Sequence, residues 1–176
     1  MYTADALANE LRRGMGRSSF HSIAIAGRDP LSNVEYLQAA FLKVETTLPV
    51  MLDTDGQRPN EIGELKAFLT LAQITLDGPG VEAAADRAFE AIQVAASAGM
   101  QHALVLVADE RTTDAQMLRT IERAHAVSEK MPVVVHPGAG TPVDRDRRWT
   151  TLFERASALH GDVRLALKLP PPTGMR

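Results

Sequence analysis

Six short apolar runs along the chain each end in an ionisable or strongly polar residue. Arg28 and Asp29 follow the first, Asp53 and Asp55 the second, Asp77 the third, Asp109 and Glu110 the fourth, His136 the fifth and Lys168 the sixth. Carboxylates that converge on one mouth suit Mg²⁺ or the hydroxyls of a ribose, while Arg28 and Lys168 suit an anionic group. Polar loops that open with a helix-capping Asp, Ser or Thr give the same pattern, so any one member reads equally well as a turn residue. In Ala26-Gly27-Arg28-Asp29-Pro30, Gly27 lets a backbone approach a ligand and Asp29 can accept from an ammonium group. Leu52-Asp53-Thr54-Asp55-Gly56 places an acceptor for ribose hydroxyls at a strand end, at the spacing that an Asx turn also uses. His136-Pro137-Gly138 offers a ligand or general base, a role that competes with plain structural use of a lone strand-end histidine.

Other chemistries find less purchase. Gly138-Ala139-Gly140 lacks the third glycine of a dinucleotide fingerprint. His21, His102, His125 and His160 flank separate elements, which gives a histidine metal cluster no support, and no metal ligand is assigned. No serine occupies a Gly-x-Ser-x-Gly elbow, so no triad is expected and no catalytic residue is named.

The elements that must position these residues alternate along the whole chain. The runs Ser22–Ala26, Pro49–Leu52, Ala72–Leu76, Ala103–Val107, Pro132–Val135 and Val163–Leu167 read as strands, at a spacing of one βα unit each. Between them, Asn33–Glu45, Glu61–Leu69, Val81–Ala98, Asp114–Lys130 and Arg145–His160 carry apolar residues at helical spacing, as in Met117, Leu118, Ile121 and Ala124. A further helix, Thr3–Arg13, precedes the first strand. Asn33 or Ser32 can cap one helix and Thr113 another, while Gly99 and Gly161 are placed to close two helices in a left-handed turn. Pro170–Pro172 reads as a polyproline finish. The fold class is therefore α/β: an incomplete (βα) barrel of about six parallel strands with outer helices, or alternatively an open doubly wound sheet. A full eight-unit barrel, at about 250 residues, does not fit 176.

At 45% hydrophobic and 23% charged, with no linker or low-complexity segment, residues 1–176 read as a single domain. A net charge of −3 gives no reason to expect nucleic acid. No apolar run approaches the roughly 20 residues that span a bilayer. Residues 1–20 carry acids and arginines where a signal peptide has its apolar core, so no membrane association and a cytoplasmic location are expected. There is no cysteine, which removes disulfides, thiolate nucleophiles and cysteine-held iron–sulfur clusters from these residues.

In order, four segments resemble the radical S-adenosylmethionine enzymes. Ala26-Gly27-Arg28-Asp29-Pro30-Leu31 is similar to the family's "GGEPLL" turn, and Leu52-Asp53-Thr54-Asp55-Gly56 to its "ETNG" strand end. Ile74-Thr75-Leu76-Asp77-Gly78-Pro79 resembles "ISLDGP", and Asp86-Arg87, Phe89-Glu90-Ala91 and Ala98-Gly99 resemble the helix after it. Pro132–Pro137 and the ending Val163–Lys168 look most like 7-carboxy-7-deazaguanine synthase. The resemblance implies a partial barrel and an S-adenosylmethionine site, with the methionine moiety at the turn of Gly27 to Asp29 and the ribose at Asp53; the ligand-binding candidates read from the strand ends are Gly27, Arg28, Asp29, Asp53, Asp55, Asp77, His136 and Lys168. It also implies a Cys-x-x-x-Cys-x-x-Cys loop after a first strand, and neither that loop nor that strand is found in the sequence. The turn differs at two positions, Ala26-Gly27 then Arg28-Asp29, which moves the acid that would hold the methionine moiety. The expectation is a cluster-free relative that retains small-molecule, nucleoside or partner binding. Its alternatives are one subunit of a split radical enzyme, or a Mg²⁺-dependent enzyme on a nucleotide-like substrate. With its first strand missing, Ser22–Ala26 is expected to be an open edge, filled by a homodimer partner or a second protein chain.

Overall fold

The computed structural model describes residues 2–17, 19–78, 81–138 and 147–166. Apolar β-branched runs and amphipathic segments alternate as α1 (Ala4–Arg17), β1 (Ile23–Ile25), α2 (Val34–Phe41), β2 (Val50–Thr54), α3 (Pro59–Glu64) and β3 (Leu71–Asp77). They continue as α4 (Val81–Ser97), β4 (Gln101–Ala108), α5 (Asp114–Val127), β5 (Val133–Pro137), α6 (Arg148–Leu159) and β6 (Val163–Leu165). The strands form one sheet in the order β1-β2-β3-β4-β5-β6. β1 runs parallel to β2, β2 to β3, β4 to β5 and β5 to β6, as helical crossovers between consecutive strands require. This is the strand order of an incomplete (βα) barrel. The reversal that gives a doubly wound sheet its ligand crevice is absent from it.

Burial alternates along the strands with a period of two. Val50, Leu52 and Thr54 of β2 are buried while Met51 and Asp53 are half-buried; Ala72, Ile74 and Leu76 of β3 are buried while Gln73 and Thr75 are half-buried. β2 and β3 therefore each have a core face and a less covered face.

The chain packs as two compact units, Met1–Ile74 with Arg87–Ala103, and Thr75–Asp86 with Leu104–Arg176. The first gathers Leu52, Ile62, Leu65, Ile74, Ala88 and Ile92 into its core, and the second Leu104, Leu106, Met117, Ile121, Trp149 and Leu152.

Local chemistry sets the helix ends. Asn33, not Ser32, caps α2, its side chain accepting from the Tyr36 N–H at 3.0 Å. Thr113 caps α5 in a reciprocal box with Gln116. α2 stops at Phe41 rather than Glu45, because Lys43 and Val44 close tighter three-residue turns onto Ala40 and Phe41. α3 begins at Pro59, whose fixed φ suits a first helical position, and ends at Glu64 rather than Leu69. Beyond it, Lys66, Phe68 and Leu69 bond back in isolated turns. Gly99 closes α4 at φ +73°, with Met100 N–H reaching the Ala95 carbonyl. Gly161 does not play that part. α6 ends instead at His160 in extended conformation, anchored by its side chain to the Met131 carbonyl. Among the described residues no helix is long and apolar enough to cross a membrane.

Candidate functional site

In the first unit, the loop after β1 is drawn into shape by Ser32, whose N–H and hydroxyl both donate to the Asp29 carbonyl. Gly27 takes φ +145°, a conformation glycine tolerates, and Arg28 is exposed. The Asp29 carboxylate is gripped by Arg58: Nε lies 3.0 Å from Oδ1 and Nη2 3.0 Å from Oδ2. Arg58 also reaches Glu61 at 3.4 Å. Hydrogen bonding to Asp29 and then its charge outweigh desolvation and, with a lesser contribution from Glu61, raise the guanidinium above its ordinary value. With both partners of the Arg58–Asp29 pair exposed to solvent, which screens their attraction, the main effect of the pair is to fix geometry.

Beside this pair opens a polar cleft of about 400 Å³, lined by Asp29, Asp55, Gln57, Arg58, Asn60 and Arg87 among others. Its floor is the turn after β2. Gly56 N–H approaches the buried Thr54 hydroxyl at 3.3 Å, and Gln57 N–H donates to Asp55 Oδ1 at 3.0 Å. Asp55 is thus a turn-former that also lines the cleft.

Asp53 lies on the less covered face of β2, and its register partner on β3 is Gln73. A carboxylate acceptor next to an amide that donates and accepts is a combination able to read hydroxyls and a base edge. Gln73 was not singled out by its sequence, where it sits inside the run Ala72–Leu76; a lone amide on the alternate face of an apolar strand was the available signal.

In the second unit, the ends of β3, β4 and β5 come together. Asp77 is exposed at the end of β3. A side chain added at the next residue, Gly78, would lie 3.5 Å from Asp109 Oδ2, and one added at Gly138 would meet the Ala108 carbonyl at 2.9 Å. His136 is half-buried, and its Nδ1 is buried without a hydrogen-bond partner among the described residues.

Asp109 organises its own loop: Oδ1 accepts from the Thr112 hydroxyl at 2.8 Å and from the backbone N–H groups of Arg111 and Thr112 at 2.9 Å. The Thr112 hydroxyl chiefly, with these amides and the Arg111 guanidinium, outweighs desolvation and holds the carboxyl below its ordinary value. A depressed carboxyl stabilises the fold above the unfolded value of about 3.9 and loses that contribution as pH falls through the lower folded one. A carbon-detected NMR titration is expected to place the Asp109 midpoint below about 3.9, and Thr112→Val to move it upward. A wild-type midpoint at or above the ordinary range would contradict this.

No protein-family model matches the chain, and no curated protein does. Among the described residues no group of three or more His, Asp or Glu is placed to hold a metal ion. Lys168, and Ala139 and Gly140 of the glycine segment, lie outside the described residues, as does Pro170–Pro172.

Proposed function

We propose that this chain is a radical-SAM-like protein, closest to 7-carboxy-7-deazaguanine synthase, that binds a nucleoside-class small molecule at the carboxyl ends of its strands. It performs no radical chemistry by itself. The observation that carries this reading is the Asp53–Gln73 pairing across β2 and β3, on the face of the sheet left less covered. The 176 residues do not fit an iron–sulfur cluster, since they contain no cysteine. They fit S-adenosylmethionine at one end only. A carboxylate at the position of Asp53 is an acceptor for ribose hydroxyls, whereas Asp29, the acid positioned for the ammonium group, is held by two bonds from the Arg58 guanidinium, which competes directly with a ligand cation. The function is accordingly binding rather than turnover.

Calorimetric titration with adenosine and with S-adenosylmethionine tests it. Saturable binding is expected, weakened roughly 10- to 100-fold in Asp53→Ala, as loss of a hydrogen bond to a charged group implies. S-adenosylmethionine should bind no tighter than adenosine. Absence of binding at millimolar nucleoside would remove the proposal.

A second reading, one subunit of a split enzyme or a homodimer, is favoured by β1. It lies at one end of the strand order, with Ile23 and Ile25 half-buried and Ala24 exposed, and an apolar edge of this kind invites a further strand. Small-angle scattering is expected to return at least twice the mass of one chain, or purification from its source to carry along a cysteine-bearing, iron-containing protein. A monomer at micromolar concentration with no such companion would count against it. The Mg²⁺-dependent reading has no comparable support among the described residues.

A further inference from the structure

The polar cleft of the first unit takes its shape from a glycine. Gly56 sits at φ +75° with no room for a side chain, since a Cβ there would lie 2.9 Å from the Ala88 Cα of α4. That close approach presses the turn after β2 onto α4 one residue from Arg87, which brings Arg87 into the lining together with Asp55 and Gln57. The turn is also held from within: the buried Thr54 hydroxyl accepts from the Gly56 N–H at 3.3 Å, and Asp55 Oδ1 from the Gln57 N–H at 3.0 Å. Arg58, next along the chain, spends Nε and Nη2 on Asp29 and Nη1 on Glu61. The walls are therefore fixed before a ligand arrives.

The groups left open are mixed. Asp55 Oδ2 is an acceptor, the Gln57 and Asn60 side-chain amides each donate and accept, and Arg87, which gives Nη1 to Glu90, keeps Nε and Nη2 as donors. None of these atoms has a partner among the described residues. Three carboxylates and two guanidinium groups line the space, a near balance that favours neither a strong anion nor a strong cation. Phosphate oxygens chiefly accept and an ammonium group only donates, so each would leave part of the open set unanswered, whereas a hydroxyl does both. No aromatic ring lines the cleft among the described residues, so a nucleobase finds no platform to stack on, while Pro59 offers a small apolar surface to the C–H edge of a sugar ring. The volume, about 400 Å³, is that of a small-molecule cleft. We propose that this cleft binds a neutral polyhydroxylated ligand of monosaccharide size, through Asp55, Gln57, Asn60 and Arg87.

Asp55 Oδ2 accepts from one hydroxyl, Arg87 donates to a ligand oxygen, and the two amides each serve a hydroxyl as donor or acceptor. Asp29 and Arg58 stay paired and act as wall. The four contacting side chains are exposed, so ordering them costs side-chain entropy and the ligand is held in the millimolar range. Asp53 and Gln73 do not line this cleft, and its test does not depend on the nucleoside reading.

NMR titration of the full chain with D-glucose, D-galactose and myo-inositol tests this, with inorganic phosphate and putrescine as charged counterparts. At least one of the neutral probes is expected to give saturable shifts of the Gln57 and Asn60 side-chain amides and of Arg87 Nε–H, while phosphate and putrescine leave them in place. Asn60→Ala and Arg87→Ala, both at exposed positions, should each weaken binding about 2- to 10-fold, as loss of one hydrogen bond implies. Asp53→Ala should bind the same probe as wild type does, which separates this cleft from the nucleoside site. Absence of shifts at roughly 100 mM of every neutral probe, well beyond the millimolar range, would overturn the proposal. So would shifts centred outside the cleft, equal binding by wild type and both cleft variants, or tighter binding of phosphate or putrescine. Should one variant fail to fold, the other and the wild-type spectrum decide the question.

Discussion

Trp149→Ala is expected to destabilise the protein by about 3–5 kcal/mol, a large share of the roughly 5–15 kcal/mol that holds a domain folded. Trp149 is the only tryptophan of the chain and is 2% exposed. It shares a helical face with Leu152 and Ala156, both buried, so its removal leaves a void in a close-packed core. The ring has a second use. The Arg148 guanidinium lies 4.8 Å above it while bonding Asp114 Oδ1 at 2.8 Å and the Thr112 carbonyl at 2.6 Å. Those contacts tie the start of α6 to the start of α5, and no side chain caps α6 in their place. Trp149→Phe keeps an aromatic platform and should lose less. Urea unfolding followed by circular dichroism is expected to show a lower midpoint with an unchanged slope. A midpoint within error of wild type for the alanine variant would mean that the ring is not packed as described.

Gly56→Ala is expected to cost about 2–4 kcal/mol, combining a left-handed backbone with overpacking. Gly56 takes φ +75°, and an added Cβ would sit 2.9 Å from the Ala88 Cα and 3.0 Å from Ile74 Cγ2. The first of these is backbone and cannot swing aside. Gly99 separates the two contributions, because it has φ +73° but open space around its missing side chain. Gly99→Ala should therefore show the backbone cost alone and be the milder change by thermal unfolding. Equal losses at the two positions would show that the Ala88 approach is not tight. The turn around Gly56 also presents Asp55, Gln57 and Arg58 to the polar cleft, so the same substitution should weaken any ligand bound there.

Much of the fold could be read from local pattern. Apolar β-branched runs of four or five residues, separated by amphipathic segments, dictate parallel strands with helical crossovers, and all six strands lie where those runs are. Caps such as Asn33 and Thr113 were legible because the hydrogen bonds they make span only three residues. Helix ends were less legible. α2 and α3 stop early through tightened turns that local propensity does not distinguish from another turn of helix. Gly161 had the composition of a left-handed cap, yet His160 ended α6 through a bond to Met131, 29 positions away.

The sequence by itself determined that polar residues would stand at the carboxyl ends of parallel strands, because side-chain alternation and turn chemistry are properties of neighbouring residues. Tertiary structure alone decided which of them meet. Arg58 reaches Asp29 from 29 positions away, Asp53 is set beside Gln73 by the register of β2 on β3, and His125 faces His160 across 35 positions. Each of these encounters depends on strand register and on the rotation of helices about their axes. Both are fixed when buried side chains, such as Leu52 and Ile74 in the first unit or Ile121 and Trp149 in the second, pack into the core of their own unit, and that packing follows from the whole set of contacts rather than from any local stretch of chain.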